Sequence, residues 1–246
     1  MDSTTYVSAS HLSGLADTLD VIAANLANAN TVGYKRKVGR FQQALLQATG
    51  QAPVPPRQSV AKPVLPEFDS RPVDFSEGPI RRTGRPLDVA IRGDAFFVVQ
   101  TAAGERYTRK GRLHVSPGGE LTDGAGNRFA ADGGALSVPD GRHDISIAPD
   151  GQVTAGGEQI GRLRLVSIPR SDLLAAEGAA VFRNDGPRAV AAPDSEVVQG
   201  AIEESNVSPV VEMVALVQVM RAYDASTRVM KRMDGLERQL VKQASV

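Results

Sequence analysis

Two different periods run along this chain. Near the N-terminus, Leu12, Leu15, Leu19, Ile22 and Leu26 fall at 3-4-3-4 spacing, the a/d seam of a paired amphipathic helix. Ala16, Ala23 and Ala27 favour that helix, while Gly14 costs about 1 kcal/mol against alanine. Two heptads are too few for a coiled coil that stands alone, so the pattern predicts a partner helix. The other end of the chain supplies one. Ser208 stands as a cap, Pro209 at the first helical position and Glu212 in the first turn, where the helix dipole favours an acid. Met213, Leu216, Met220, Tyr223, Thr227 and Met230 then repeat at 3-4-3-4-3 spacing. Val210, Val214 and Val217 early, with Val229, Met233, Leu236 and Leu240 late, mark a second face, which predicts burial against more than one neighbour. From Pro209 to about Gln243 such a helix runs about 50 Å.

The middle of the chain follows another rule. Six of the fifteen prolines fall between 53 and 72, which predicts an extended connector. From about Glu77 the period becomes two: Leu87, Val89 and Ile91 alternate with Asp88, Ala90 and Arg92, and "AFFVVQ" follows as a more deeply buried strand. "PGG", "DGAGN", "PDGRHD" and "PDGQV" then mark hairpin turns. The predicted class is α+β. Long N- and C-terminal helices pair as a coiled-coil-like layer, and a mostly antiparallel β domain lies between them. The segments are an N-terminal helix in 1–30, a linker and proline-rich stretch in 31–76, a β-rich domain in 77–200 and a C-terminal helical segment in 201–246.

Composition narrows the chemistry. Basic and acidic residues balance at 28 each, so no global field attracts nucleic acid or an anionic membrane. Cysteine is absent, which excludes disulfides, thiolate metal sites and thiol nucleophiles. No basic segment followed by an apolar run and a cleavage site opens the chain, and no apolar run reaches the ~20 residues of a membrane span. The expectation is a cytoplasmic protein or one exported without a cleaved signal. His11, His114 and His143 share no ligand spacing, and no Walker loop, GxSxG elbow or HExxH is present. No cofactor and no enzymatic activity are therefore expected.

"ANLANANTVGYK" raises its own question. Asn28 or Asn30 is expected to close the first helix in a left-handed conformation, with Thr31 to Gly33 turning the chain. Asn25 lies beside the seam, where it either hydrogen-bonds a neighbouring helix or is solvated. Lys35, Arg36, Lys37 and Arg40, with Arg81, Arg82 and Arg85 further on, read as solvated charge or protein–protein salt bridges.

That stretch resembles the element after the first helix of bacterial flagellar rod and hook proteins. "GRPLDVAIRGDAFFVVQ" with "RYTRKGRL" is similar to the segment opening their β domain, and "VVQGAIEESNVSPVVEMVALVQVMRAYDASTRVM" to their C-terminal helix. The chain departs from the family pattern at Ala24, Ala95 and Leu113, and Ala95 requires a backbone that does without positive φ there. The resemblance implies a non-catalytic axial subunit of the basal-body rod. Such a subunit is exported unfolded through the flagellar type III apparatus without signal cleavage and assembles helically in the periplasm. Its partners are other rod and hook-type axial subunits, with no nucleic acid and no membrane insertion. It also implies that the terminal helices order on assembly and that subunit contacts involve Leu12, Leu15, Leu19, Ile22, Asn25, Leu26, Asn28, Gly33, Tyr34, Lys35, Met213, Leu216, Val217, Met220, Tyr223 and Met230. The alternative is a soluble β-rich binding module or adhesin whose terminal helices dimerise.

Overall fold

The computed structural model describes residues 3–39, 72–139, 141 and 144–244. The proline-rich connector expected over 53–72 lies outside these residues except for Pro72, as do Arg40 and His143. The chain divides into two compact units. A helical unit holds Ser3–Ala27, 37–39 and Pro209–Ala244, and a β unit takes 28–36 and 72–207.

In the helical unit, α1 (Ser3–Ala27) packs against α2 (Pro209–Ala244). The helix starts at Pro209 with Glu212 in its first turn, and the Glu212 amide donates to the Ser208 carbonyl at 3.0 Å. On α1, Leu15, Thr18, Val21, Ile22 and Asn25 are buried, while Leu12, Leu19 and Leu26 are half-buried. One heptad position of the predicted seam is thus fully covered and the other lies along a partly open flank. The covered side of α2 carries Glu212, Ala215, Leu216, Val219, Ser226, Thr227 and Met230. Met213, Met220 and Tyr223, expected to face α1, are exposed within the single chain. Leu216, Thr227 and Met230 of the predicted seam do lie on the covered side, which is turned around the helix axis, at about 100° per residue, away from Met213 and Met220.

In the β unit, β1 (Ile80–Arg82) and β2 (Val89–Arg92) precede a hairpin of β3 (Ala95–Thr101) and β4 (Gly104–Thr108). Strand β3 also pairs antiparallel with Leu165–Ser167 and Arg128–Ala131, at the middle of a ten-stranded sheet. Its side chains alternate between two cores. Phe97 and Val99 join Leu113, Leu121, Phe129 and Val153 on one face, while Phe96 and Val98 join Val166, Leu174 and Phe182 on the other. Burial on both faces explains the unbroken apolar run, as in any doubly covered strand. The rings of Phe97 and Phe129 meet edge to face at 5.8 Å. Ala95 is fully buried in β3, and none of the described non-glycine residues has positive φ.

Three of the four turn signals close hairpins: His114–Val115 pairs with Leu121–Thr122, Leu121–Thr122 with Arg128–Ala131, and Ile145–Ile147 with Gln152–Ala155, whereas "PDGRHD" lies partly outside the described residues. Near the end of the unit, Glu196–Gln199 pairs with β2 and Ala201–Glu203 pairs with β1. The C-terminal segment expected to be helical from 201 therefore begins as a strand. Three residues of backbone pairing with β1 hold it extended, and the helix waits for Pro209.

Replacing Phe97 by alanine is expected to destabilise the β unit by about 3–5 kcal/mol. Urea unfolding followed by near-UV circular dichroism checks this, with the midpoint falling at unchanged slope.

Candidate functional site

Helix α1 ends at Ala27 without any left-handed asparagine. The Thr31 amide donates to the Asn28 carbonyl at 3.0 Å, and the Tyr34 amide to the Thr31 carbonyl at 3.2 Å. The Thr31 hydroxyl adds a 3.1 Å hydrogen bond to Asn28 Oδ1. Two consecutive turns finish the helix, and the left-handed conformation predicted for Asn28 or Asn30 falls instead on Gly33, at φ 68°. Glycine is needed there twice over. A Cβ on Gly33 would lie 2.5 Å from the Lys110 nitrogen, and the Gly33 amide donates to the Glu203 carbonyl at 2.8 Å.

The strap 33–36 is fastened next by charge. Lys35 Nζ donates to Glu203 Oε1 at 2.6 Å and to the Ser76 carbonyl at 2.5 Å. The same Glu203 oxygen accepts the Gly78 amide at 3.0 Å, and Arg109 Nη1 stands 3.4 Å from Oε2. All three charged side chains are essentially inaccessible to solvent. Arg109 lies 4.9 Å from the centre of the Phe96 ring, a cation–π contact in the core, and its Nε is buried without a hydrogen bond. Burial lowers the Lys35 pKa from its ordinary 10.5, with Glu203 opposing the shift and Arg109 adding to it. Asn206 completes the fastening. Its Oδ1 accepts the Arg36 amide at 2.7 Å, its Nδ2 donates to the Asp74 carbonyl at 2.9 Å, and the Asp74 amide donates to the Arg36 carbonyl at 2.8 Å.

These placements correct three readings of the sequence. Lys35 does not reach outward to a neighbour, because its whole side chain is spent on Glu203 and Ser76 inside the fold. Tyr34 is buried as well. Asn25 is buried, not solvated, and it holds the chain after its own helix: its Nδ2 donates to the Lys37 carbonyl and its Oδ1 accepts the Lys37 amide, each at 2.9 Å. A fully buried carboxamide with donor and acceptor both paired to one residue's backbone is a satisfied structural group. The sequence reading missed Glu203, Arg109 and Asn206. Their signal was present, since they sit in the "GAIEESNV" and "YTRKG" stretches already singled out. Further along the surface, Arg81 pairs with Glu204 and Arg85 with Asp88.

The open surface is elsewhere. Val210, Met213, Val214, Val217 and Met220 share one side of α2 and are all exposed, roughly opposite the side that covers α1. With the half-open flank Leu12, Leu19 and Leu26, these leave apolar surface uncovered among the described residues of the helical unit. No helix among the described residues is long and apolar enough to cross a membrane.

Glu203→Gln leaves two buried cations without their carboxylate and is expected to cost about 3–5 kcal/mol. Urea unfolding measures the loss, and faster hydrogen exchange at the Gly33 and Arg36 amides locates it. The lowered Lys35 pKa has a consequence of its own. Between that pKa and 10.5 the unfolded chain binds the extra proton, so stability rises with pH through this interval. Lys35→Met is expected to lack that increment when both proteins are unfolded in urea across the same buffers.

Comparison with known proteins agrees with this architecture at three places. Residues 6–35 match the model of the flagella basal body rod protein family. Residues 90–155 match the flagellar hook protein FlgE/F/G D1 domain, and 198–243 the flagellar basal body rod FlgEFG protein C-terminal model. The chain is 35% identical to the flagellar basal-body rod protein FlgF of Caulobacter vibrioides, over 98% of both chains. Against the FlgF of Salmonella typhimurium it is 32% identical over 95% of each. Against the FlgG of Bacillus subtilis it is 30% identical over 91% of this chain and 92% of that protein. Matches of this extent displace the alternative of a binding module or adhesin. Paired terminal helices, an antiparallel β unit between them in sequence and agreement along nearly the full length carry one conclusion: the chain belongs to the flagellar basal-body rod protein family, as a non-enzymatic structural subunit of the rod.

Proposed function

We propose that this subunit builds the rod by heterologous helix contacts with other rod and hook-type axial subunits, in a FlgF-type position. The observation that carries the reading is the exposed apolar side of α2. Val210, Val214 and Met220 are each more than half exposed, and Met213 and Val217 only slightly less. An isolated soluble helix hides such a stripe, so one left open points to a neighbour. Leu12, Leu19 and Leu26 on α1, with Met213, Val217, Met220 and Tyr223 on α2, are the contact positions. Leu15, Ile22, Leu216 and Met230 support them from the covered side.

Contacts between unlike surfaces repeat around and along an axis instead of closing a dimer, which suits a torque-transmitting shaft for swimming. Delivery through the flagellar type III apparatus without a cleaved signal, to a periplasmic rod, completes the proposal.

Val217→Asp tests it. The side chain is exposed, so the stability of the isolated protein is expected to stay within about 0.5 kcal/mol of wild type. A carboxylate buried at a subunit contact is costly, so swimming in soft agar is expected to be lost. Normal swimming by this variant sinks the assigned face.

A further inference from the structure

Strand β1 pairs on one side only, with Ala201–Glu203, and the register fixes which of its backbone groups are used. The Glu204 amide donates to the Pro79 carbonyl at 2.9 Å, and the Thr83 amide to the Gly200 carbonyl at 2.7 Å. Antiparallel strands alternate bonded and unbonded pairs, so Arg81 shares the bonded set with Ile202. Ile80 and Arg82 therefore turn their amides and carbonyls outward. Glu203, opposite Ile80, shows the same alternation, since its carbonyl points away from β1 and accepts the Gly33 amide. No hydrogen bond to the outward groups of Ile80 and Arg82 forms among the described residues. The side chains of this edge are as open as its backbone. Ile80, Arg81 and Arg82 are all exposed, and so are Gly84 and Arg85 beyond them. Arg81 is engaged by Glu204 and Arg85 by Asp88, whereas Arg82 has no ion pair among the described residues. Ile80 and Arg82 lie on the same side of the strand, so the edge presents an apolar side chain and then a free cation, each with open ladder groups.

We propose that β1 is a docking edge for an extended acidic segment of a partner protein, added as an antiparallel strand along Ile80–Arg82. The partner places a carboxylate opposite Arg82 and, two residues later, an apolar side chain opposite Ile80. Backbone hydrogen bonds supply the attachment, and the order of acid and apolar residue supplies the specificity. Charge selects the occupant. Any strand can in principle extend an open edge, but pairing this one with the same edge of a second copy brings arginines together. An acidic strand meets the opposite condition. The site is built by the β unit alone, and it goes beyond the helix contacts assigned above.

The test titrates the acetylated, amidated peptide ETETVT into the full chain. KTKTVT serves as the charge control, and ETETVT with N-methyl groups at its second glutamate and its valine as the backbone control. Hydrogen exchange at the Ile80 and Arg82 amides is expected to slow with ETETVT, while the Arg81 amide, already in the ladder, keeps its rate. KTKTVT is expected to bind about tenfold more weakly, and the N-methylated peptide not detectably. Ile80→Pro removes one outward amide, keeps the arginines and suits an edge position, so binding is expected to weaken about tenfold at an unchanged urea midpoint. If that midpoint falls, the N-methylated peptide against the unaltered chain decides. Arg82→Glu is expected to reverse the preference to KTKTVT. Equal binding of ETETVT and its N-methylated form overturns strand addition in favour of charge attraction alone. Equal binding of ETETVT and KTKTVT overturns the acidic partner, and ETETVT without protection of the Ile80 and Arg82 amides overturns the docking edge itself.

Discussion

Glu203 holds two cations, a backbone amide and the end of a strand in one dry place. Its carboxylate meets Lys35, Arg109 and the Gly78 amide, and its carbonyl takes the Gly33 amide. An ion cluster this buried is a poor source of net stability, because desolvation offsets most of the attraction. What it supplies is a single arrangement. Any other docking of 33–36 strands a charge away from water, so the strap has one register. The segment that follows α1 and the segment that precedes α2, at 203–206, are thereby fastened within the same β unit.

The two units divide the work of burial unequally. The β unit covers both faces of its central strand, and its phenylalanines meet edge to face in two separate cores. It has the makings of a self-sufficient fold. The helical unit covers Leu15 and Ile22 but leaves Leu12, Leu19 and a whole side of α2 open. Over 209–232 that helix has one covered side, which cannot satisfy its apolar pattern. In a subunit of a multi-protein shaft that shortfall is the useful property, since each neighbour supplies surface that the chain lacks.

The sequence reading succeeded where periodicity speaks. The 3-4 spacing located both helices, the alternation at 87–92 located β2, and the Asp-Gly and Pro-Gly turns located hairpins. It erred where one residue's environment is assembled from distant parts. Asn25 looked like a polar residue beside a seam and is a clamp on the Lys37 backbone. Lys35 looked like part of a basic surface triplet, yet it lies inside the fold opposite a glutamate 168 positions away. Met213 and Met220 fit the spacing for α1, but the covered side of α2 lies further round the helix axis.

Spacing, turn residues and the balance of charge determined the elements, their order and the need of each terminal helix for a partner, because such preferences are local and repeat along the chain. Three separate motifs also marked the family without showing why they belong together. Only the tertiary structure decided that Gly33 and Lys35 from the first, Arg109 from the second, and Glu203 and Asn206 from the third converge on one buried cluster. It alone decided which side of each helix is covered. Burial of a charge or an amide is settled by what arrives across space, and no period in the sequence encodes the arrival.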